Sequence, residues 1–197
     1  MLFQSLSQSF YIGINDTFSS SFNKNAFTLF NAWGDTKHTA AQQAVARGQA
    51  IFNTQSFQIS GVGGLNDMLG QASIQGTCTT CHNTPNVGNH SKSLPLNIGI
   101  SDPNRMPGLL PVYTLQNNVT KQTVQTTDPG RALITGYWAD IGKFKGPVLR
   151  GLASRAPYFH NGSAATLMDA VNFYDTRFNI GLSDSQKNDL VAFLRAL

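Results

Sequence analysis

One short run of residues limits what this chain can fold into more than any other feature. The sequence contains only two cysteines, and both lie in Cys78-Thr79-Thr80-Cys81-His82. Two thiols three positions apart share one helical turn, where they can form thioethers with the two vinyl groups of a single haem. The next residue then lies under the iron. The spacing therefore predicts one covalent haem c, attached through Cys78 and Cys81, with His82 as the proximal iron ligand.

Two other uses of this cysteine pair agree less well with its surroundings. A redox-active Cys-x-x-Cys motif usually lies in a βαβ unit, which the Gly- and Asn-rich neighbouring sequence does not predict. A structural zinc ion needs two more ligands, and the next histidine, His90, is too far along the chain for the usual spacing. Because c-type haem is attached after export, we expect a periplasmic or extracellular protein.

The charge composition excludes several classes of function. Charged residues make up only 12% of the 197 residues, and all ten acidic residues are Asp. The absence of Glu rules out any mechanism that needs a Glu general base or metal ligand. A formal net charge of +4, spread without a Lys/Arg block, argues against nucleic-acid binding and is compatible with an acidic protein partner. We expect no membrane span, because no apolar stretch approaches about 20 residues.

We divide the chain into an aromatic-rich N-terminal extension, residues 1–38, and a mono-haem cytochrome c domain, residues 39–197. Residues 1–11 lack the basic and apolar regions of a signal peptide, which we expect either to have been removed or to precede the given start. Two interpretations of the aromatic rings stay open. They pack on the domain core or follow a missing upstream domain, or they form an interface for a partner or for self-association. The rings are Phe3, Phe10, Tyr11, Phe18, Phe22, Phe27, Phe30 and Trp33.

Helical patterns occur before and after the haem motif. Residues 40–53 predict a helix with apolar side chains along one side. Thr166 with Asp169, and Ser183 with Gln186, have the spacing of capping boxes and predict two helices near the C-terminus.

The middle of the chain predicts loops. Residues 61–76 are rich in glycine and predict an exposed loop or hairpin. Six prolines between residues 82 and 131 exclude a long helix there. A stretch of this length in one domain is normally functional, and we expect it to wrap the porphyrin.

This layout resembles the cytochrome c fold, which is all-α with long irregular haem-wrapping loops. In that fold the first and last helices cross near the haem. The resemblance implies that Gly48 permits the close crossing and that Phe52 and Phe193 meet across it.

A narrower resemblance covers roughly residues 40–197. Its motifs are FKGPVLR at 144–150, APYFHNGS at 156–163 and TL at 166–167. They resemble the C-terminal haem domain of bacterial di-haem cytochrome c peroxidases and of tryptophylquinone-maturing di-haem enzymes. The resemblance implies an electron-transfer haem here, with peroxide reduced at a second haem in an N-terminal domain. Since the chain has one Cys-x-x-Cys-His motif and no Glu, we expect the electron-handling half alone.

Two side chains lead the candidates for the second axial position on the iron. Tyr174 lies 14 positions after His160, where the resemblance places an axial Met in the peroxidases and a Tyr in the quinone-maturing enzymes. It shares a helix face with Leu167 and Val171 and should point inward, either to the iron or to a propionate or carbonyl. Met106 would give His/Met coordination, or would pack on the porphyrin.

We also expect particular roles or positions for the other histidines, methionines and basic residues. His160 is a third candidate ligand, although the family motif implies a structural role near the haem. We expect Met168 in the core, and His38 and His90 at the surface or in hydrogen bonds. The resemblance implies that Arg150 neutralises a haem propionate. Other basic residues flank the haem edge or form a solvated face, and these are Arg131, Lys143, Lys145 and Arg155.

Three functional hypotheses follow. The preferred one is a single-haem cytochrome that carries one electron at a time between exported redox partners, without substrate chemistry of its own. The first alternative is a haem peroxidase-like oxidoreductase. The second is a subunit of a larger multi-haem assembly that docks through residues 1–38, which is compatible with electron transfer.

Overall fold

The computed structural model describes residues 27–82, 94–105 and 108–197. Its α-helices are α1 (Ala40–Thr54), α2 (Asn66–Leu69), α3 (Ala132–Thr135), α4 (Leu167–Phe178) and α5 (Asp184–Ala196). Its strands are β1 (Phe57–Ser60), β2 (Ser73–Gly76), β3 (Pro95–Leu96), β4 (Tyr113–Gln116), β5 (Thr123–Thr126) and β6 (Phe144–Lys145). Short 3-10 turns cover Asn31–Gly34, Cys78–Thr80, Trp138–Asp140 and Leu152–Ser154. Among the helices in these ranges, none is long and apolar enough to cross a membrane.

The three long helices begin where local sequence chemistry places them. Thr166 with Asp169 caps α4, and Ser183 with Gln186 caps α5, so both predicted capping boxes are confirmed. Thr39 caps α1, and the helix predicted for the segment after it is confirmed to within one residue.

Helices α1 and α5 cross in close contact at Gly48. A Cβ atom on Gly48 would lie 2.0 Å from the backbone oxygen of Asp189 and 2.7 Å from Cβ of Phe193. The rings of Phe52 and Phe193 meet with their centroids 5.5 Å apart. Both expectations from the cytochrome c resemblance are therefore confirmed. A bidentate ion pair also joins the helices, with Nε and Nη2 of Arg47 at 2.7 and 2.8 Å from the Asp189 carboxylate.

The segment before α1 contributes two rings to the core at this crossing. Phe27 is fully buried, and its ring centroid lies 5.4 Å from that of Phe52 and 5.1 Å from that of Phe193. Phe30 is also buried, and its backbone N–H donates to the side-chain oxygen of Gln49 at 3.0 Å. These two rings pack on the core. The earlier aromatic residues of the extension lie outside the described residues, so the interface interpretation stays a prediction.

A second, smaller core forms between the β1–β2 hairpin and the segment that follows the haem motif. Its buried side chains are Ile59, Val62, Leu65 and Leu96. Residues 61–76 therefore do more than form an exposed loop. Residues 61–72 connect β1 to β2, as a hairpin loop does, but Val62 and Leu65 are each only 1% exposed. The many glycines of this segment predicted a surface loop, but its few apolar side chains point into the core.

The expected all-α fold is wrong. The described residues contain helices together with three two-stranded antiparallel sheets, which pair β1 with β2, β3 with β6, and β4 with β5. The prolines do prevent a long helix between residues 82 and 131, but a hairpin needs only two strands of about four residues. The strands β4 and β5 are rich in Thr and contain Val and Tyr, which favour extended backbone.

We expect Gly48→Ala to destabilise the fold by about 3 kcal/mol, because the added methyl group would collide with the backbone of α5. The gain in helix propensity, about 1 kcal/mol, is too small to offset this. Urea unfolding followed by far-UV circular dichroism measures the loss. Gly34→Ala is the control, since nothing lies within 4 Å of a Cβ atom there. Equal stability of the two variants would contradict the close crossing.

Candidate haem site

The two cysteines and His82 lie on one tight turn. The backbone N–H of His82 donates to the carbonyl of Cys78 at 3.0 Å. Thr77 fixes the start of the turn, because its backbone N–H donates to the Thr80 hydroxyl at 3.0 Å. The polar residues between the cysteines thus stabilise the backbone of the turn that carries both thiols.

The thiols of Cys78 and Cys81 lie at the boundary of the two cores. Cys78 packs against the main core, and Cys81 packs against the smaller core of the β1–β2 hairpin. No disulfide joins them. Burial raises the pKa of Cys78 to about 12, so this thiol is protonated at neutral pH and is a poor redox nucleophile.

His82 faces Tyr174 across the space between the cores. The Tyr174 hydroxyl lies 3.4 Å from Nε2 of His82, and their ring centroids are 6.0 Å apart. Behind the imidazole, the ring of Phe52 on α1 lies 6.1 Å away. Nδ1 of His82 is buried without a hydrogen-bond partner. Burial also lowers the pKa of His82 to about 4, which keeps the imidazole neutral, as an iron ligand must be.

Aromatic rings surround Tyr174. The ring centroid of Phe173 lies 5.4 Å from that of Tyr174, that of Phe159 lies 6.1 Å away, and Phe178 stacks on it at 6.3 Å. Such apolar walls exclude water from the space in front of the phenol. Burial correspondingly raises the pKa of Tyr174 above its ordinary value.

Arg177 fastens the end of α4, one turn after Tyr174. Its guanidinium donates to three backbone carbonyls, those of Ser60 and Gly61 at 3.0 Å and that of Ile98 at 3.1 Å. The helix that carries the phenol is therefore tied both to the β1–β2 hairpin and to the segment after β3.

Asn161 joins three segments beside the site. Its side-chain NH2 donates to the Ile100 carbonyl at 2.8 Å and to the Thr127 hydroxyl at 3.1 Å, and its oxygen accepts from the Ser163 backbone N–H at 3.1 Å. The family motif at 156–163 is thereby anchored to the chain on both sides of the β4–β5 hairpin.

The other predicted residues occupy different places. His160 is exposed, with Nδ1 at 2.5 Å from the Asp128 carboxylate and its ring against Phe144. His38 is paired with Asp35 near the start of α1. Arg150 is exposed.

Two of the remaining candidates cannot be placed. Met106 and His90 lie outside the described residues. Met168, by contrast, packs against the main core, as predicted.

The residues that line this space fit a haem c. They supply two thiols on one turn, a buried and neutral imidazole, and a phenol whose hydroxyl lies 3.4 Å from Nε2 of that imidazole. Sequence reasoning missed Phe178 and Arg177 in this arrangement. The signal for Phe178 was present, since it lies four positions after Tyr174 on the same helix face.

Several known proteins are similar in sequence to this chain. The chain is similar to bacterial cytochrome c peroxidases. Cytochrome-c peroxidase IdrP2 of Denitromonas iodatirespirans is 38% identical over 135 residues, which cover 62% of this chain and 36% of the relative. Cytochrome-c peroxidase IdrP1 of Pseudomonas sp. (strain SCT) is 28% identical over 191 residues, which cover 85% and 43%. Cytochrome c551 peroxidase of Nitrosomonas europaea is 33% identical over 121 residues, which cover 61% and 30%.

These similarities support a relationship to the cytochrome c peroxidases. The chain matches well under half the length of each relative named above, between 30% and 43%. No family model matches the chain, and no solved structure matches it.

We expect Asn161→Ala to lower the free energy of unfolding by about 1–3 kcal/mol, because it leaves the Ile100 carbonyl and the Ser163 N–H without their partner. Thermal unfolding of the variant and the wild type measures the change. Asn172→Ala removes the same group from an exposed position on α4 and should change stability little. An equal loss of stability in both variants would contradict the anchoring role of Asn161.

Proposed function

We propose that this chain is an exported, c-type electron-transfer unit of the cytochrome c peroxidase-like kind. One haem is attached through Cys78 and Cys81, and its iron is bound by His82 and Tyr174. The observation that carries the proposal is the Tyr174 hydroxyl facing Nε2 of His82 at 3.4 Å. These two residues would hold the iron of a bound haem, His82 through Nε2 and Tyr174 through its hydroxyl oxygen.

Coordination on both faces favours electron transfer over substrate chemistry. Bound haem supplies a reversible one-electron couple, and six-coordinate iron changes oxidation state with little rearrangement. The protein contributes a neutral imidazole on one side and a phenol on the other. The rings of Phe159, Phe173 and Phe178 keep water away from the phenol, so the axial position is shielded from small solutes.

Residues on the surface of this unit suit transient contact with redox proteins. Arg150 and Arg155 are exposed next to the family motif, and the chain as a whole carries a formal charge of +4. A mildly basic surface accelerates encounter with an acidic redox partner and does not require a large interface.

A peroxidase-like activity is the second candidate, because the relatives named above are cytochrome c peroxidases. Such an activity needs an open iron face. In this chain the open face would require Tyr174 to leave the iron, so the phenol is the group on which the two candidates differ.

We expect the protein, expressed with an export signal in a host that matures c-type cytochromes, to carry one haem by intact-mass analysis. Cys78→Ala/Cys81→Ala should lack covalent haem, because both thioethers are lost. The exposed-site variant Ser185→Ala should still carry the added mass of one haem. An unmodified wild-type polypeptide from cells that mature other c-type cytochromes would contradict the proposal.

We expect Tyr174→Phe to open one face of the iron, because the ring remains and only the ligating oxygen is removed. Ferric high-spin absorption bands should increase, and cyanide should bind faster than to the wild type. Stopped-flow absorption spectroscopy measures both.

Tyr137→Phe, at an exposed tyrosine, is the matched control and should leave spectra and binding unchanged. The peroxidase would be favoured over the electron carrier by two results together. The wild-type protein would bind cyanide as fast as Tyr174→Phe does, and it would turn over peroxide with an electron donor.

A further inference from the structure

Arg105 is a partly buried cation that forms no ion pair with any other described residue. Its guanidinium carbon lies 4.3 Å from the centroid of the Phe173 ring. Nε is buried and has no hydrogen-bond partner. Burial lowers the pKa of the guanidinium, and the exposed Asp102 carboxylate offsets this only in part. A charge in this situation is costly unless an anion joins it.

Other arginines of the chain donate to groups of the protein itself. Arg177 donates to three backbone carbonyls, as described above. Arg155 donates to the carbonyls of Val148 and Arg150, and Arg47 pairs with Asp189. Within the described ranges, the ion pairs do not include Arg105. Its donors therefore remain for a group that the polypeptide does not supply.

Arg105 lies next to the candidate haem site. Phe173, on which its guanidinium rests, is the neighbour of Tyr174 on α4, with ring centroids 5.4 Å apart. The Tyr174 hydroxyl faces His82. A single aromatic ring thus separates the cation from the proposed axial ligand. Resting on a ring face leaves the N–H groups in the guanidinium plane free to point outward.

We propose that Arg105 binds a haem propionate, donating from its guanidinium to the carboxylate. Arginine suits this task because its planar fork matches a carboxylate in bidentate geometry. The proposal rests on the proposed haem site, and it gives Arg105 the role that the family resemblance implied for Arg150.

The charge of Arg105 then acts on the redox couple. A cation at the propionate keeps the carboxylate ionised and favours the reduced iron over the more positive oxidised iron. Without it, the carboxylate pKa rises, and addition of one electron to the ferric haem is accompanied by uptake of a proton at the propionate. Loss of the positive charge lowers the midpoint potential, and the coupled proton uptake makes that potential depend on pH, so that it falls as the pH rises.

The test compares Arg105→Gln with Arg150→Gln in the full haem-loaded protein. Haem content is measured first, by intact mass. Spectroelectrochemical titrations between about pH 5 and 9, a range that covers raised carboxylate pKa values, then give the midpoint potential. Arg105→Gln should show a lower midpoint that shifts with pH, while Arg150→Gln should follow the wild type.

Two outcomes would overturn the assignment. The first is that Arg105→Gln behaves like Arg150→Gln, and the second is that only Arg150→Gln shifts. If Arg105→Gln does not accumulate in the cell, Arg105→Lys provides the test, because lysine keeps the positive charge but cannot bind a carboxylate in bidentate geometry. The midpoint potential of Arg105→Lys should depend on pH in the same way but less strongly. If the potential of Arg105→Lys is indistinguishable from that of Arg150→Gln, the proposal is overturned. Wild-type protein without haem would instead overturn the proposed function itself.

Discussion

The close contact of α1 with α5 at Gly48 is the constraint on which the site depends. Because no side chain separates the helices there, Phe52 and Phe193 can meet and close the main core. Phe52 also lies behind the His82 ring, and Cys78 packs on the same core. The crossing therefore determines where the haem-motif turn lies and which way its imidazole faces.

Features governed by local chemistry could be predicted from the sequence. The capping boxes of α4 and α5 involve residues three positions apart, and the thiols of the haem motif share one turn. Gly48 and Phe52 are also close in sequence, and the resemblance to the cytochrome c fold supplied their partner Phe193. In each case the sequence contains the interacting groups within a few residues, or a known architecture connects them.

Features that depend on distant contacts could not be predicted. Tyr174 and His82 are 92 positions apart, and only a family resemblance made the tyrosine a candidate. Nothing local distinguishes the exposed Arg150 from the partly buried Arg105, since burial depends on segments that meet only in the folded chain. The all-α expectation failed for a related reason: proline excludes helix but does not reveal that two short Thr-rich segments pair.

The anchoring of Arg177 has a consequence for how readily the Tyr174 phenol can move. Tyr174 is carried by a helix whose end is hydrogen-bonded to Ser60, Gly61 and Ile98 on two separate segments. Its phenol cannot retreat far by swinging the helix unless those bonds break together. Any displacement of the phenol that requires α4 to move is thus coupled to rearrangement of the main chain, which occurs on microsecond-to-second timescales and is slower than the rotation of an exposed side chain.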